Sequence, residues 1–210
     1  MTISPFSLAE DLLLMNAETS LPRDLPGHYG RVVADLEKLL QATETLAVVA
    51  GGWAVWRHGY AGRVTGNVDV VVPQDRMDQV QRVAGLCGFD YLEPPEGRWP
   101  KLLHRDTKIE VDLLPELGIP GTAGRRAPVA IGHPKRYGAT LEPLRYITLA
   151  GLVELKLGAG RVKDIADVIE LINAHRDQVS TLRDHLANLN ATYAGRFDEL
   201  VRQAEEERSV

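Results

Sequence analysis

Two short stretches of this chain place oxygen-bearing side chains at strand spacing. Residues 63–72 read Arg63-Val-Thr65-Gly-Asn67-Val-Asp69-Val-Val-Val, and residues 108–114 read Lys108-Ile-Glu110-Val-Asp112-Leu-Leu. Side chains two apart on a strand share a face. Asn67 and Asp69 therefore point the same way, as do Glu110 and Asp112. Oxygen ligands of this kind suit a hard divalent cation such as Mg²⁺ or Mn²⁺. Upstream, Leu46-Ala-Val-Val-Ala runs an apolar strand into Gly51-Gly52. Backbone N–H groups with no side chain in the way can approach a phosphate there. Glycines of this kind beside clustered oxygen ligands suit a site for a metal-bound nucleotide.

The elements that would hold these residues can be traced by periodicity. Helical spacing is expected over residues 5–16 and 28–41, with strands at 46–49 and 68–72 and a short helix over 53–59. A helix follows over 74–86, then strands at 89–92, 102–104 and 108–114, the last two joined by a hairpin turn at Arg105-Asp106-Thr107. The Gly- and Pro-rich residues 115–140 read as a loop or a short extra strand pair. From Pro143 the character turns helical, with helices over 144–157, 163–174, 179–189 and 192–207. The expected class is α/β (α+β): a mixed sheet flanked by helices. Residues 1–140 would form the α/β core with N-terminal helices, and residues 141–210 a helical C-terminal subdomain.

Each candidate also has a plainer reading. Gly51-Gly52 could be a tight strand-to-helix turn only. Asp69, in an otherwise apolar strand, needs a partner, either a cation or a salt bridge with Arg63. Asp112 has the same two readings and a third, as general base. Glu110 is the weaker candidate on that strand. Thr65 could serve as a β-former, and Arg63 could pair with Asp69 or touch phosphate. Lys156, among Leu152, Val153, Leu155 and Leu157, would ordinarily snorkel to solvent. Asp164 and Asp167 open a helix, where the dipole alone favours acidic residues. Arg161 and Lys163 beside them could contact a nucleotide. Trp53, Trp56 and Trp99 could stack on a base or fill the core.

At these residues the chain resembles the nucleotidyltransferase superfamily, and within it the minimal and toxin-like branch that includes AbiEii-type proteins. That family carries a Gly-Gly or Gly-Ser turn and, after a helix, a strand Arg-x-Thr-x-Asp-x-Asp. Here that strand reads Arg63-Val-Thr65-Gly-Asn67-Val-Asp69. A later strand, Ile109-Glu110-Val111-Asp112, and the run Lys156…Arg161-Val-Lys163-Asp164-Ile-Ala-Asp167 match further blocks. The match covers roughly residues 44–173. Asn67 departs from it, standing where the family has its first strand carboxylate. Asn keeps a ligating oxygen and loses the charge that supplies much of the affinity for Mg²⁺.

The resemblance implies a nucleotidyltransferase-fold sheet and a metal-dependent enzyme. It would move a nucleoside monophosphate from a nucleoside triphosphate (NTP) to an acceptor hydroxyl and release pyrophosphate. Asp69 and Asp112 would be the catalytic pair, with Asn67, Asp69 and Asp112 around Mg²⁺ or Mn²⁺. Gly51, Gly52, Arg63, Thr65, Lys156, Arg161 and Lys163 would hold the nucleotide. The acceptor is left open among a small molecule, an RNA end and a protein hydroxyl. The alternative, motivated by Asn67, is a catalytically impaired nucleotide-binding or regulatory protein, or a component of a toxin–antitoxin pair.

Composition sets outer bounds. The 210 residues carry a formal net charge of −5 and a pI near 5.7. That charge argues against a broad surface for long, nonspecific nucleic acid. The lone cysteine, Cys87, leaves no internal disulfide and reads as a packing residue in a reducing compartment. No run approaches the ~20 apolar residues that span a bilayer, and the N-terminus does not read as a secretory signal. No membrane partner and a cytoplasmic location are expected. The six histidines lack metal-ligand spacing. No Gly-x-Ser-x-Gly occurs and no Walker-A lysine follows the glycines, which disfavours a hydrolase and a P-loop ATPase.

Overall fold

The computed structural model describes residues 20–60, 62–63, 65–95, 97–122 and 124–208. The helix expected over residues 5–16 lies outside them. In chain order the regular elements are α1 (His28–Ala42), β1 (Val48–Ala50), α2 (Gly51–Arg57), β2 (Asn67–Val72), α3 (Met77–Ala84), β3 (Phe89–Leu92), β4 (Lys101–His104) and β5 (Glu110–Pro115). There follow β6 (Gly121–Thr122), β7 (Arg125–Arg126), β8 (Arg145–Tyr146), α4 (Leu149–Ala159), α5 (Val162–Ala174), α6 (Val179–Leu189) and α7 (Ala191–Arg208).

Six strands form one mixed sheet in the order β3-β4-β5-β2-β1-β8. β2 and β5 are parallel, as are β1 and β8, and the other pairings are antiparallel. The expected α/β architecture is present: a central mixed sheet, flanking helices and a helical C-terminal end. No described helix is long and apolar enough to cross a membrane.

Alternation along the central strands divides the interior in two. Val68, Val70 and Val72 of β2 join Val111 and Leu113 of β5 in one core, packed against Val32 and Leu36 of α1 and Val80 of α3. Val71 of β2 and Val48 and Ala50 of β1 face the other way, into a second core with Leu152, Val168 and Phe197 of the C-terminal helices. Asn67, Asp69, Glu110 and Asp112 share the parity of Val71. They therefore emerge on the sheet face that the C-terminal helices cover, at its uncovered end.

The boundaries depart from expectation in three places. α2 begins at Gly51 rather than at Trp53, so both glycines lie in the helix's first turn. Residues 74–87 break into a 3₁₀ turn, α3 and a second 3₁₀ turn. Residues 115–140 include the small hairpin β6–β7, in agreement with the short strand pair expected there. The helix expected from Leu144 starts at Leu149 instead. Arg145 and Tyr146 add to the sheet parallel to β1, and Thr148 caps α4 by accepting a hydrogen bond from the Gly151 N–H. The signal was present, since Thr is a preferred N-cap. It was masked by apolar residues that fit either period.

Candidate functional site

The parallel pairing of β2 with β5 sets Asn67 opposite Glu110 and Asp69 opposite Asp112. Four polar side chains thus form a two-by-two grid on one sheet face. β4 adds Lys101 directly opposite Asp112. The grid opens into a cavity of about 230 Å³. Gly51, Gly52, Arg63, Thr65, Asn67, Asp69 and Asp112 line one side, and Lys156, Arg161, Lys163 and Asp164 line the other, with Trp99 at an edge. All ten residues assigned above to the catalytic pair, the metal and the nucleotide meet in this one cleft, whereas Glu110 and Asp167 do not line it and Trp53 and Trp56 pack with the core.

Inside the grid the contacts are specific. The Asn67 side-chain amide donates to Asp112 Oδ2 at 2.7 Å and, more weakly, to Asp69 Oδ1 at 3.4 Å. Its Oδ1 accepts from the Thr65 hydroxyl at 3.2 Å. The carboxylates only accept, so the amide nitrogen rather than the carbonyl faces them, and Thr65 supports the amide from behind. Lys101 Nζ lies 2.5 Å from Glu110 Oε2 and 3.0 Å from Asp112 Oδ1. The second of these is an ion pair without hydrogen-bond geometry, and Asp112 Oδ1 is a buried acceptor with no hydrogen bond. The Asp69 carboxyl is pushed above its usual pKa, first by burial and then by the Asp112 charge, against the pull of Lys156, Arg161 and Lys163. Two neighbouring carboxylates, one of them with an oxygen that has an ion pair but no hydrogen bond, fit one cation. A fuller carboxylate set does not form, and no cluster of three or more His, Cys, Asp or Glu among the described residues could hold a metal.

Gly51 fits against the grid as no other residue would. Its φ is +65°, and a Cβ there would lie 1.8 Å from Asp69 Oδ2. Gly51→Ala must both strain the backbone, by about 1–2 kcal/mol, and push the Asp69 carboxylate aside. The variant is expected to unfold several degrees below the wild type in a thermal melt and to lose whatever function Asp69 serves.

The opposite wall is built differently from the sequence expectation. Lys156 does not snorkel: it is 5% exposed, and its ammonium sits 3.1 Å from Asp164 and 2.6 Å from Asp167. Both aspartates are buried, so their role exceeds that of helix-dipole partners. Arg161 joins the network at 2.6 Å from Asp164. Arg63 pairs with Asp167 at 3.3 Å and not with Asp69, which corrects the salt bridge considered above. This cross-link ties the loop before β2 to α5. Burial alone would raise the Asp164 carboxyl; the Arg161 hydrogen bond and the Lys156 charge outweigh it and hold the group below its usual value. Beyond Lys156 and Asp164 lies a second hollow of about 220 Å³, lined also by Arg125, Arg196 and Glu199.

Two features escaped sequence reasoning. Lys101 could be found only from the β4–β5 register, which the hairpin turn at 105–107 determines. The buried status of Asp164 and Asp167 has a fainter signal: their spacing of three residues on a helix places both beside one partner.

No protein-family model matches the sequence, and no curated protein matches it. Among solved structures, the chain is similar to the crystal structure of ANT(2″)-Ia in complex with adenylyl-2″-tobramycin. The TM-score is 0.49 at 14% identity, covering 87% of this chain and 99% of that one. It is also similar to the solution structure of the antibiotic-resistance factor ANT(2″)-Ia, with a TM-score of 0.47 at 16% identity, covering 84% and 98%. Neither likeness decides an activity for this chain.

Proposed function

We propose that the protein transfers a nucleoside monophosphate from a nucleoside triphosphate to an acceptor hydroxyl, with release of pyrophosphate. The observation that carries this reading is the pairing of Asp69 with Asp112 at the foot of a cleft whose far wall is cationic. A magnesium or manganese ion held by Asp69 and Asp112 would supply neutralisation of charge on the transferring phosphoryl group.

The chain's own residues account for the rest. Arg161 and Lys163 would take the β- and γ-phosphates, and the Gly51 and Gly52 backbone would let the triphosphate approach closely. Lys156, already held by two carboxylates, would position α5 and contribute its charge at a distance. Asp112 would accept the proton of the acceptor hydroxyl. The hydroxyl oxygen bonds to the α-phosphorus, the bond from that phosphorus to the α–β bridging oxygen breaks, and pyrophosphate leaves with that oxygen. Positioning of this kind supplies most of the rate in phosphoryl-type transfers.

A second reading is favoured by one observation. The Asn67 amide already occupies the space between the two carboxylates, as it would in a protein that binds nucleotide without turning it over. One experiment separates the two: incubation with Mg²⁺, cell extract and NTP labelled on either the α- or the γ-phosphate. Transfer of the α-label alone, with the γ-label leaving in pyrophosphate, supports the enzyme. Binding without transfer, with turnover gained in Asn67→Asp, supports the second reading. Transfer of the γ-label contradicts the proposal.

A further inference from the structure

The grid is held by one cation and one amide donor, Lys101 and Asn67. Of its four side chains, Asp69, Glu110 and Asp112 are acidic, and bare carboxylates this close repel one another. Each oxygen of Asp112 faces an internal donor or cation: Asn67 Nδ2 stands 2.7 Å from Oδ2, and Lys101 Nζ 3.0 Å from Oδ1. Asn67 reaches on to Asp69, and Lys101 to Glu110. The carboxylates only accept, so the amide nitrogen, not its oxygen, points inward, and the Thr65 hydroxyl donates to that oxygen. The chain thus supplies the site with one positive charge and one amide donor of its own, without an ion.

We propose that Asn67 and Lys101 form a built-in clamp that takes the place of a resident divalent cation. The empty cleft is then stable without metal and holds free divalent ions poorly, and the ion enters together with the nucleotide's phosphates. The charge that Asn67 lacks is what sets this. An Asp at position 67 would put a third carboxylate against Asp112 and Asp69, turning a donor into a repelling acceptor that only a cation can quiet. Lys101 acts in the same sense from the other side, because its ammonium competes with a metal for Asp112 Oδ1. Lys101 is a positioning and specificity residue in this account. The inference rests on the site reading above, but it concerns the nucleotide-free protein.

The test uses Mn²⁺ alone, without nucleotide, on the full chain. Bound and free Mn²⁺ are counted by electron paramagnetic resonance, and thermal unfolding is followed in EDTA and in Mn²⁺. Wild-type protein is expected to bind Mn²⁺ at least about tenfold more weakly than Asn67→Asp, in line with the added ligand charge. Its melting temperature should not differ between EDTA and Mn²⁺. Asn67→Asp is expected to melt about 3 °C or more below wild type in EDTA and to recover in Mn²⁺ by mass action. Lys101→Met, which keeps the side-chain volume, should also bind Mn²⁺ more tightly than wild type. Equal Mn²⁺ affinity in wild type and Asn67→Asp, or an Asn67→Asp protein as stable as wild type in EDTA, overturns the proposal. Unchanged affinity in Lys101→Met removes Lys101 from it. Should Asn67→Asp fail to fold even in Mn²⁺, the Lys101→Met titration decides alone. A protein that never transfers a nucleotide still answers this test, so its failure and that of the transfer reading are separable.

Discussion

Asp69→Asn is expected to reduce nucleotidyl transfer by about a thousandfold or more while leaving the protein as stable as the wild type or more so. The two halves of this expectation have different origins. The rate falls because the substitution keeps the shape of the side chain and removes its charge at the foot of the cleft. Metal-assisted charge stabilisation is worth several kcal/mol, and about 1.4 kcal/mol is a factor of ten. Stability is retained because ionised Asp69 is unfavourable where it sits: burial first, and the Asp112 charge second, push its pKa up. Neutralising it relieves that penalty and keeps an acceptor toward the Asn67 amide. Label transfer and thermal melts of the same preparation check both halves. A variant that loses activity by unfolding would assign Asp69 a structural role instead.

Lys156→Met is expected to do the reverse of this, acting on the fold before the chemistry. The ammonium is buried between two carboxylates that are themselves buried. Removing one partner of such a network leaves uncompensated charge and typically costs about 3–5 kcal/mol. For a chain of this size that lowers the melting temperature by roughly 10 °C. Methionine fills the same volume, so the loss is one of charge and not of packing. Asp164 keeps Arg161 and Asp167 keeps Arg63, so the loss should fall short of complete unfolding. The network also leaves a mark on pH dependence. Asp164 is held below its usual value, and a depressed carboxyl contributes stability above its unfolded pKa, near 3.8. That contribution is lost as pH falls through the lower folded value. Wild-type protein should therefore lose stability in acid below about pH 4, and Lys156→Met should lose less over the same range. A melt of Lys156→Met indistinguishable from wild type would mean that the buried pair contributes nothing.

The parts of this account that the sequence made legible were those set by short-range geometry. Alternation alone placed Asn67 with Asp69 and Glu110 with Asp112, and the apolar run into Gly51-Gly52 marked the turn beside them. What the sequence withheld depends on pairing. Nothing local distinguishes a parallel β2–β5 neighbour from an antiparallel one, yet only that register brings Asp69 beside Asp112. Lys101 was invisible for the same reason. Arg63 lies close to Asp69 in sequence but reaches Asp167, a residue on a different element. Lys156 shows the limit of reading a residue by its neighbours. Amid leucines it looked like a snorkelling lysine, and two acids a turn or more beyond α4 fold back to hold it. β8, with only two residues, was too short for periodicity to register.

The central claim is that the cleft binds a metal-bound nucleoside triphosphate across the Asp69–Asp112 pair. A crystal structure with a non-hydrolysable triphosphate and Mn²⁺ tests it most directly. The expected result is an anomalous peak shared by the carboxylates of Asp69 and Asp112, with the phosphates running from Gly51-Gly52 toward Arg161 and Lys163. Nucleotide bound elsewhere, or Mn²⁺ absent from that pair with the triphosphate in place, would contradict it.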